Sequence, residues 1–346
     1  MNSILCLDIG SGTQDALLYR PGIPLENCPK FVLPAPARMV AARIAELTRR
    51  GAPLHLHGRN MGGGFFKAVK AHLAAGLAVS AHPRAALALT DDPPSLERFG
   101  ITLSERCPAG HVPVHQADYD PGFWQGLLAQ AGLEPPDLVL ACAQDHGHHP
   151  GQSSRIGRFR LWQGALERTS GRLEDMLYAT PPAEFTRLAE VHDATGGGPV
   201  MDTGPAAALG ALFDPEVRRS SEEEGALIVN MGNSHILGLL VHRGRLYGVF
   251  EHHTGMLPPD ELVRHLERFR AGEPIHEEVF SSGGHGSAVR ELPAAFRATY
   301  VIGPRRADIP GLEAVHPAPG GDMMLTGCFG LLAAWKHSQG EALAAR

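Results

Sequence analysis

Short apolar stretches recur near the start of the chain, at Ile4 to Ile9, Ala16 to Tyr19 and Phe31 to Leu33. Runs of this length bounded by turn residues predict strands, so the opening reads as a meander. The spacing then lengthens. Ala37 to Arg50 has helical periodicity, Leu54 to His57 is a short strand, and Met61-Gly62-Gly63-Gly64 opens a helix that continues through His72. Residues 81–106 show no clear period. Val112 to Val114 predicts a strand, Pro121 to Ala131 a helix and Asp137 to Cys142 an apolar strand, so the first half is α/β.

From Ile156 to Leu188 the pattern is helical with breaks, and His192-Asp193-Ala194-Thr195-Gly196-Gly197-Gly198-Pro199 is the strongest loop signal in the chain. A domain boundary is expected there, dividing the chain into residues 1–198 and 199–346. A small-residue helix, Pro205 to Phe213, precedes a second meander of Ala226 to Asn230, Ile236 to Val241 and Leu246 to Phe250. A helix from Pro259 to Ala271, a loop over Ser281 to Gly286, a strand Tyr300 to Ile302 and a helix Asp322 to Lys336 follow. Both halves thus open on a glycine-turned hairpin and continue with helices.

Length agrees with two lobes: 346 residues exceed a single core of about 100–200. With 43% hydrophobic and 20% charged residues and a formal charge of -6, the composition is globular and does not favour nucleic acid as a partner. No apolar run approaches the roughly 20 residues that span a bilayer, and Met1-Asn2-Ser3-Ile4 leads into a strand rather than a cationic signal segment. A cytoplasmic protein without membrane partners is expected. Cys6, Cys28, Cys107, Cys142 and Cys328 are never two or three residues apart, which argues against a disulfide framework, a zinc knuckle or an iron-sulfur loop. The 19 histidines are unusually many.

The turn Asp8-Ile9-Gly10-Ser11-Gly12-Thr13 places glycines and a carboxylate between two strands. Amides pointing into such a concavity bind phosphate oxygens, and the carboxylate can hold the magnesium that neutralises them. The alternative is an ordinary glycine-rich hairpin. What favours phosphate is the order of the elements that follow.

Asp8 to Thr13 resembles the first phosphate loop of the actin, sugar-kinase and heat-shock-chaperone superfamily, in which a similar hairpin faces it across an interdomain cleft. Val139 to Gly147 is similar to the strand and turn that sugar kinases end in Gln-x-His-Gly. Asp202-Thr203-Gly204-Pro205-Ala206-Ala207-Ala208-Leu209-Gly210 resembles the first connecting helix. Ile228 to His235 takes the place of the second phosphate loop, Val301-Ile302-Gly303-Pro304-Arg305-Arg306 resembles the adenosine strand, and Thr326 to Ala334 the second connecting helix. The resemblance covers Ile4 to Ala334. It implies two ribonuclease H-like α/β lobes and a cleft holding ATP or ADP with magnesium. Nucleotide contacts would then come from Asp8, Gly10, Ser11, Gly12, Thr13, Asn230, Gly232, Asn233, Ser234, Gly303 and Arg305, with Asp8 reaching the metal directly or through water. The chain also resembles a family that carries the label of pyruvate formate-lyase activating enzyme. That label implies radical chemistry on an iron-sulfur cluster held by three closely spaced cysteines, and the sequence has no such triplet.

Within this resemblance, Asn230 stands where kinases and chaperones usually carry Asp, and His235 where a hydroxyl is common. Phosphate binding tolerates that change better than phosphoryl transfer does. For catalysis, Asp145 is the candidate to orient or deprotonate an attacking hydroxyl or water, with Asp202 as its rival; a surface turn is the other reading of Asp145. The segment Gln144-Asp145-His146-Gly147-His148-His149 offers either a polar loop contacting substrate through Gln144 and His146, or ligands for zinc or another imidazole-preferring metal, joined by His252, His253 or His285. Gly63 and Gly64 before the helix at Phe65 can present amides to an anion, and His285 lies in a loop able to close over ligand. Arg305 and Arg306 either meet the nucleotide or are solvated. Three functions follow: an ATP-dependent phosphotransferase or ATPase on a small substrate, a nucleotide-binding regulatory or scaffold protein without turnover, and a metal-dependent enzyme using the histidine loop.

Overall fold

The computed structural model describes residues 3–341; Met1 and Asn2, invoked in the expectation about a signal segment, lie outside them. The chain begins with β1 (Ile4–Ile9), β2 (Thr13–Tyr19) and β3 (Lys30–Pro34). An inserted unit follows: α1 (Pro36–Arg49), β4 (Leu54–Gly58), α2 (Phe66–Ala74), β5 (Val79–Ala81), α3 (Pro83–Ala86), β6 (Ile101–Leu103) and β7 (Val112–Gln116); α4 (Pro121–Gln130) then packs Trp124 and Leu128 on the outer face of β1. The chain returns through β8 (Leu138–Ala143), α5 (Ser154–Thr169), α6 (Thr186–Ala194), β9 (Val200–Met201) and α7 (Thr203–Ala211). The second half comprises α8 (Pro215–Glu223), β10 (Ala226–Met231), β11 (His235–His242), β12 (Arg245–His253), α9 (Pro259–Arg270), α10 (His276–Ser281), β13 (Gly286–Val289), β14 (Ala298–Ile302) and α11 (Thr326–Ser338).

Sheet order exposes a duplication. The first sheet runs β3-β2-β1-β8-β9 and the second β13-β12-β11-β10-β14; in each, an antiparallel three-strand meander is joined by a parallel strand alongside its first member. The shared order, meander plus one parallel neighbour, is that of ribonuclease H-like lobes, and two of them make the α/β architecture of the actin, hexokinase and chaperone ATPase type. A four-stranded parallel sheet, β6-β5-β4-β7, forms the insertion with its own core around Ile44, Leu56 and Phe65. β9 lies just past residue 198 and still pairs with β8, so the first sheet extends to Met201.

Strand alternation decides which residues meet the cleft. In β1, Ile4 and Cys6 enter the core shared by both sheets, whereas Leu5, Leu7 and Ile9 face the outer layer. In β10, Ala226 and Ile228 take the inner face and Leu227, Val229 and Met231 the outer. The period of two then carries Asp8 and Asn230 to the inner face at the carboxyl ends of their strands. Between the sheets α7 and α11 cross. Gly210 packs on the Thr326 carbonyl and Gly330 on that of Ala206, where a β-carbon would collide with backbone in both cases. That crossing is why these two helices are built from Gly and Ala.

Three expectations need correction. The loop at His192 to Pro199 begins later, because Leu188 and Val191 bury in the first lobe's outer core and hold α6 helical to Ala194. The second strand starts at Thr13 rather than Ala16, since Gln14 and Asp15 pair with β1 as well as β3. The last helix begins at Thr326, after a 3-10 turn over Met323–Leu325 whose first amides Asp322 caps at Met324.

Candidate functional site

The hairpins β1–β2 and β10–β11 turn in the same way. The Gly10 amide donates to the Thr13 carbonyl at 3.0 Å, and the Gly232 amide to the His235 carbonyl at 2.9 Å. The turns face each other: Ser234 Oγ donates to Ser11 Oγ at 2.6 Å, and a β-carbon at Gly12 would strike the Asn233 side chain. Below them lies a cavity of about 390 Å³, within the usual range for small-molecule sites. It is lined by Asp8, Gly10, Ser11 and Thr13 from one turn and by Asn230, Gly232, Asn233 and Ser234 from the other. Gly303 joins the wall with φ of +95°, a conformation that strains any side chain, and it abuts the Met231 carbonyl and Asn230. Gly63, Gly64, Gln144, Asp145 and His146 also line the cavity. Gly12, Arg305, Asp202 and His285 lie outside its lining, and Arg305 is ion-paired to Asp308 at 2.5 Å.

Carboxylates gather at the first turn. Thr203 Oγ1 donates to Asp8 Oδ1 at 3.4 Å, and burial pushes Asp8 up to about 6 in spite of hydrogen bonds from Cys142 and Thr203. Directly across the strand pair, Asp15 has one oxygen without a partner and is pushed up to about 8, by burial first and by Asp8 second. Two buried carboxylates this close lack positive charge between them, which a divalent cation would supply.

The two catalytic candidates are held otherwise. Asp145 accepts from the Gly147 amide at 2.7 Å through Oδ1 and from the Leu188 amide at 2.8 Å through Oδ2. The β8 alternation explains this: Leu140 and Cys142 share the inner core, Val139, Ala141 and Ala143 the outer, and Asp145 continues the outer series while Gln144 continues the inner. Asp202 caps α7, accepting from the Gly204 amide at 3.0 Å, and receives Arg158 Nη1 at 2.6 Å and Nη2 at 3.0 Å.

Arg158, on α5 and only 1% exposed, joins the two halves. Its Nη1 also donates to the Asp145 carbonyl at 2.7 Å, and its Nε to Glu251 Oε2 at 3.0 Å. Glu251 further accepts from Trp162 Nε1 at 2.7 Å and Gln144 Nε2 at 2.5 Å. Burial would raise the Glu251 pKa, yet Arg158 and the histidines around it hold the carboxyl well below the usual range. Beside it His146, His235 and His285 approach with ring centroids 5.2–5.4 Å apart. Sequence reading assigned no role to Arg158, Trp162 or Glu251. Glu251 had a signal, a charge in the strand Leu246 to Phe250 extended by one step, on the same face as Val249; Arg158 had none within its helical stretch.

The site therefore belongs to a duplicated ribonuclease H-like protein whose lobes meet at two glycine turns over a cavity with carboxylates at its wall. Residues 61–308, well over half of the chain, match the family described as "Putative pyruvate format-lyase activating enzyme (DUF1786)", and the chain belongs to that family. No curated protein matches it. Among solved structures it is similar to an exopolyphosphatase-like protein (11% identity, TM-score 0.31, covering 87% of this chain and 66% of that one). It is also similar to the ethanolamine utilization protein EutJ from Carboxydothermus hydrogenoformans (12%, TM-score 0.31, 94% and 88%) and a ROK hexokinase from Thermus thermophilus (14%, TM-score 0.25, 98% and 90%). The chain thus spans just under two thirds of the exopolyphosphatase-like protein's length. Among the described residues no helix is long and apolar enough to cross a membrane.

Proposed function

We propose that the cleft binds ATP or ADP with magnesium, the phosphates lying between the two glycine turns, and that the protein is an ATP-dependent phosphotransferase or ATPase acting on a small polar substrate. The observation that carries this reading is the pair of like turns meeting at Ser11 and Ser234 above a cavity edged by Asp8. The residues fit the ligand: a side chain at Gly12 or Gly303 would collide with its surroundings, and Asp15 keeps an unpartnered oxygen beside Asp8. Asp8 would hold magnesium directly or through water, with Asn230 opposite as a neutral hydrogen-bonding group. Magnesium, when bound, neutralises phosphate charge. Gly10, Ser11, Gly232, Asn233 and Ser234 would face the phosphates, Gly303 the nucleoside side, and Gln144, His146, Gly63 and Gly64 the substrate.

A second reading is a nucleotide-binding regulatory or scaffold protein with little turnover. What favours it is the state of the catalytic candidates: both oxygens of Asp145 accept backbone amides, both of Asp202 are bound to Arg158, and Asn230 replaces a carboxylate. Radical activation, which the family's description names, is not proposed. Cys6, Cys28, Cys142 and Cys328 are dispersed in sequence and buried in the core, and burial pushes the thiols of Cys6, Cys142 and Cys328 up.

Thermal shift with ADP and ATP, each with and without magnesium, tests the shared premise. A magnesium-dependent rise in Tm is expected, and no shift at millimolar nucleotide defeats both readings. Phosphate release then divides them: turnover reduced at least tenfold by Asp145→Asn supports the enzyme, and binding without turnover supports the sensor.

A further inference from the structure

We infer that His146, His235 and His285, with the Glu251 carboxylate beside them, form a binding site for one imidazole-preferring divalent ion of the zinc class. One ligand atom from each of these four residues lies within 4.8 Å of all the others. Zinc-type bonds of about 2.0–2.1 Å place tetrahedral ligand atoms about 3.4 Å apart, so a rotation of the rings brings them to bonding distance. Three separate elements deliver them: the loop after β8, the first residue of β11, and the residue before β13, with Glu251 on β12.

The histidines are unspent. Neither ring nitrogen of His285, which is 1% exposed, has a hydrogen-bond partner, and Nε2 of His235 is buried without one. A buried imidazole without partners costs free energy that a metal bond would recover. Glu251 is fixed by Trp162, Gln144 and Arg158, the kind of outer support that orients a metal-binding carboxylate. Arg158 is shared with Asp202, so two carboxylates against one guanidinium leave a net negative charge near the site. His146 and His235 line the cavity that the glycine turns edge, so the ion would have a side open to that cavity.

The sequence suggested a metal on Asp145, His146, His148 and His149, joined by His252, His253 or His285. The geometry keeps His146 and His285 from that set and adds His235 and Glu251. Asp145 is capped by amides and His148 is exposed, 3.8 Å from Asp91.

The test uses the untagged full chain with no nucleotide, so its result is separate from the nucleotide reading. Metal analysis after purification, followed by chelation and titration with Zn²⁺ and with Co²⁺ as a spectroscopic probe, should give one ion per chain and a visible cobalt band. His285→Ala and His235→Ala should each weaken binding at least tenfold, and His148→Ala should leave it unchanged. Where His285→Ala loses its fold by circular dichroism, His235→Asn, at a half-buried strand end, carries the comparison. Wild-type protein that takes up no stoichiometric Zn²⁺ or Co²⁺, folded His235 variants that bind as tightly as wild type, or loss of binding in His148→Ala would each overturn the proposal.

Discussion

The two lobes put different chemistry at equivalent positions. On the inner face of the first sheet the strand ends carry Asp8, Thr13 and Asp15; on the second they carry Asn230, His235, Glu251 and His253. The turns match residue for residue, Gly10 with Gly232 and Thr13 with His235, down to the same backbone hydrogen bond. One side of the cleft is therefore oxygen-rich and suited to magnesium and phosphate, and the other is imidazole-rich. Duplication of a fold fixes where side chains point, and leaves free what they are.

Arg158 is where the halves depend on each other, and its removal gives the largest expected effect. Arg158→Met leaves Asp202 and Glu251 buried without their counter-charge, so stability should fall by about 3–5 kcal/mol. Urea unfolding measures it; a loss under 1 kcal/mol would mean the pair does not hold the lobes. Next in size, Asn230→Asp makes the second turn resemble the first. It should steepen the magnesium dependence of ADP binding by about tenfold, equivalent to roughly 1.4 kcal/mol, because a second carboxylate then faces the cation. An unchanged magnesium dependence would place the cation away from that turn.

The smallest effect comes from the insertion, which has no counterpart in the second lobe. His72 is buried, shares a 2.8 Å hydrogen bond with Thr48 and has its pKa lowered by burial. Its folded form stays neutral below the unfolded value of about 6.5, so the unfolded chain takes the proton first. The resulting stability is present above that pH and lost as pH falls. Between pH 7.5 and 5.5 wild type should lose more stability than His72→Phe in urea unfolding. Parallel curves would show that His72 is not the group responsible.

Much of this was legible in the sequence. The meanders, the glycine turns and the small-residue helices announced themselves because each depends on local spacing. Asp8 and Asn230 could be placed for the same reason. Asp145 could be placed at the cavity wall but not in its role: it lies two residues past the end of β8, and the amides of Gly147 and Leu188 that capture both its oxygens come from a turn and from a helix far along the chain. The histidine group was half visible. His146, His253 and His285 stood out by type, but their convergence with Glu251 depends on strand pairing across the second sheet and on how the lobes face each other.

The central claim is that phosphates bind between the two turns with Asp8 at the cation. Calorimetric titration of magnesium ADP into wild type and Asp8→Ala, repeated without magnesium, tests it most directly. Saturable binding by wild type that weakens at least tenfold in the variant, with the magnesium dependence lost, is the predicted result. Equal affinities with intact magnesium dependence, or no heat from wild type at millimolar nucleotide, would contradict it.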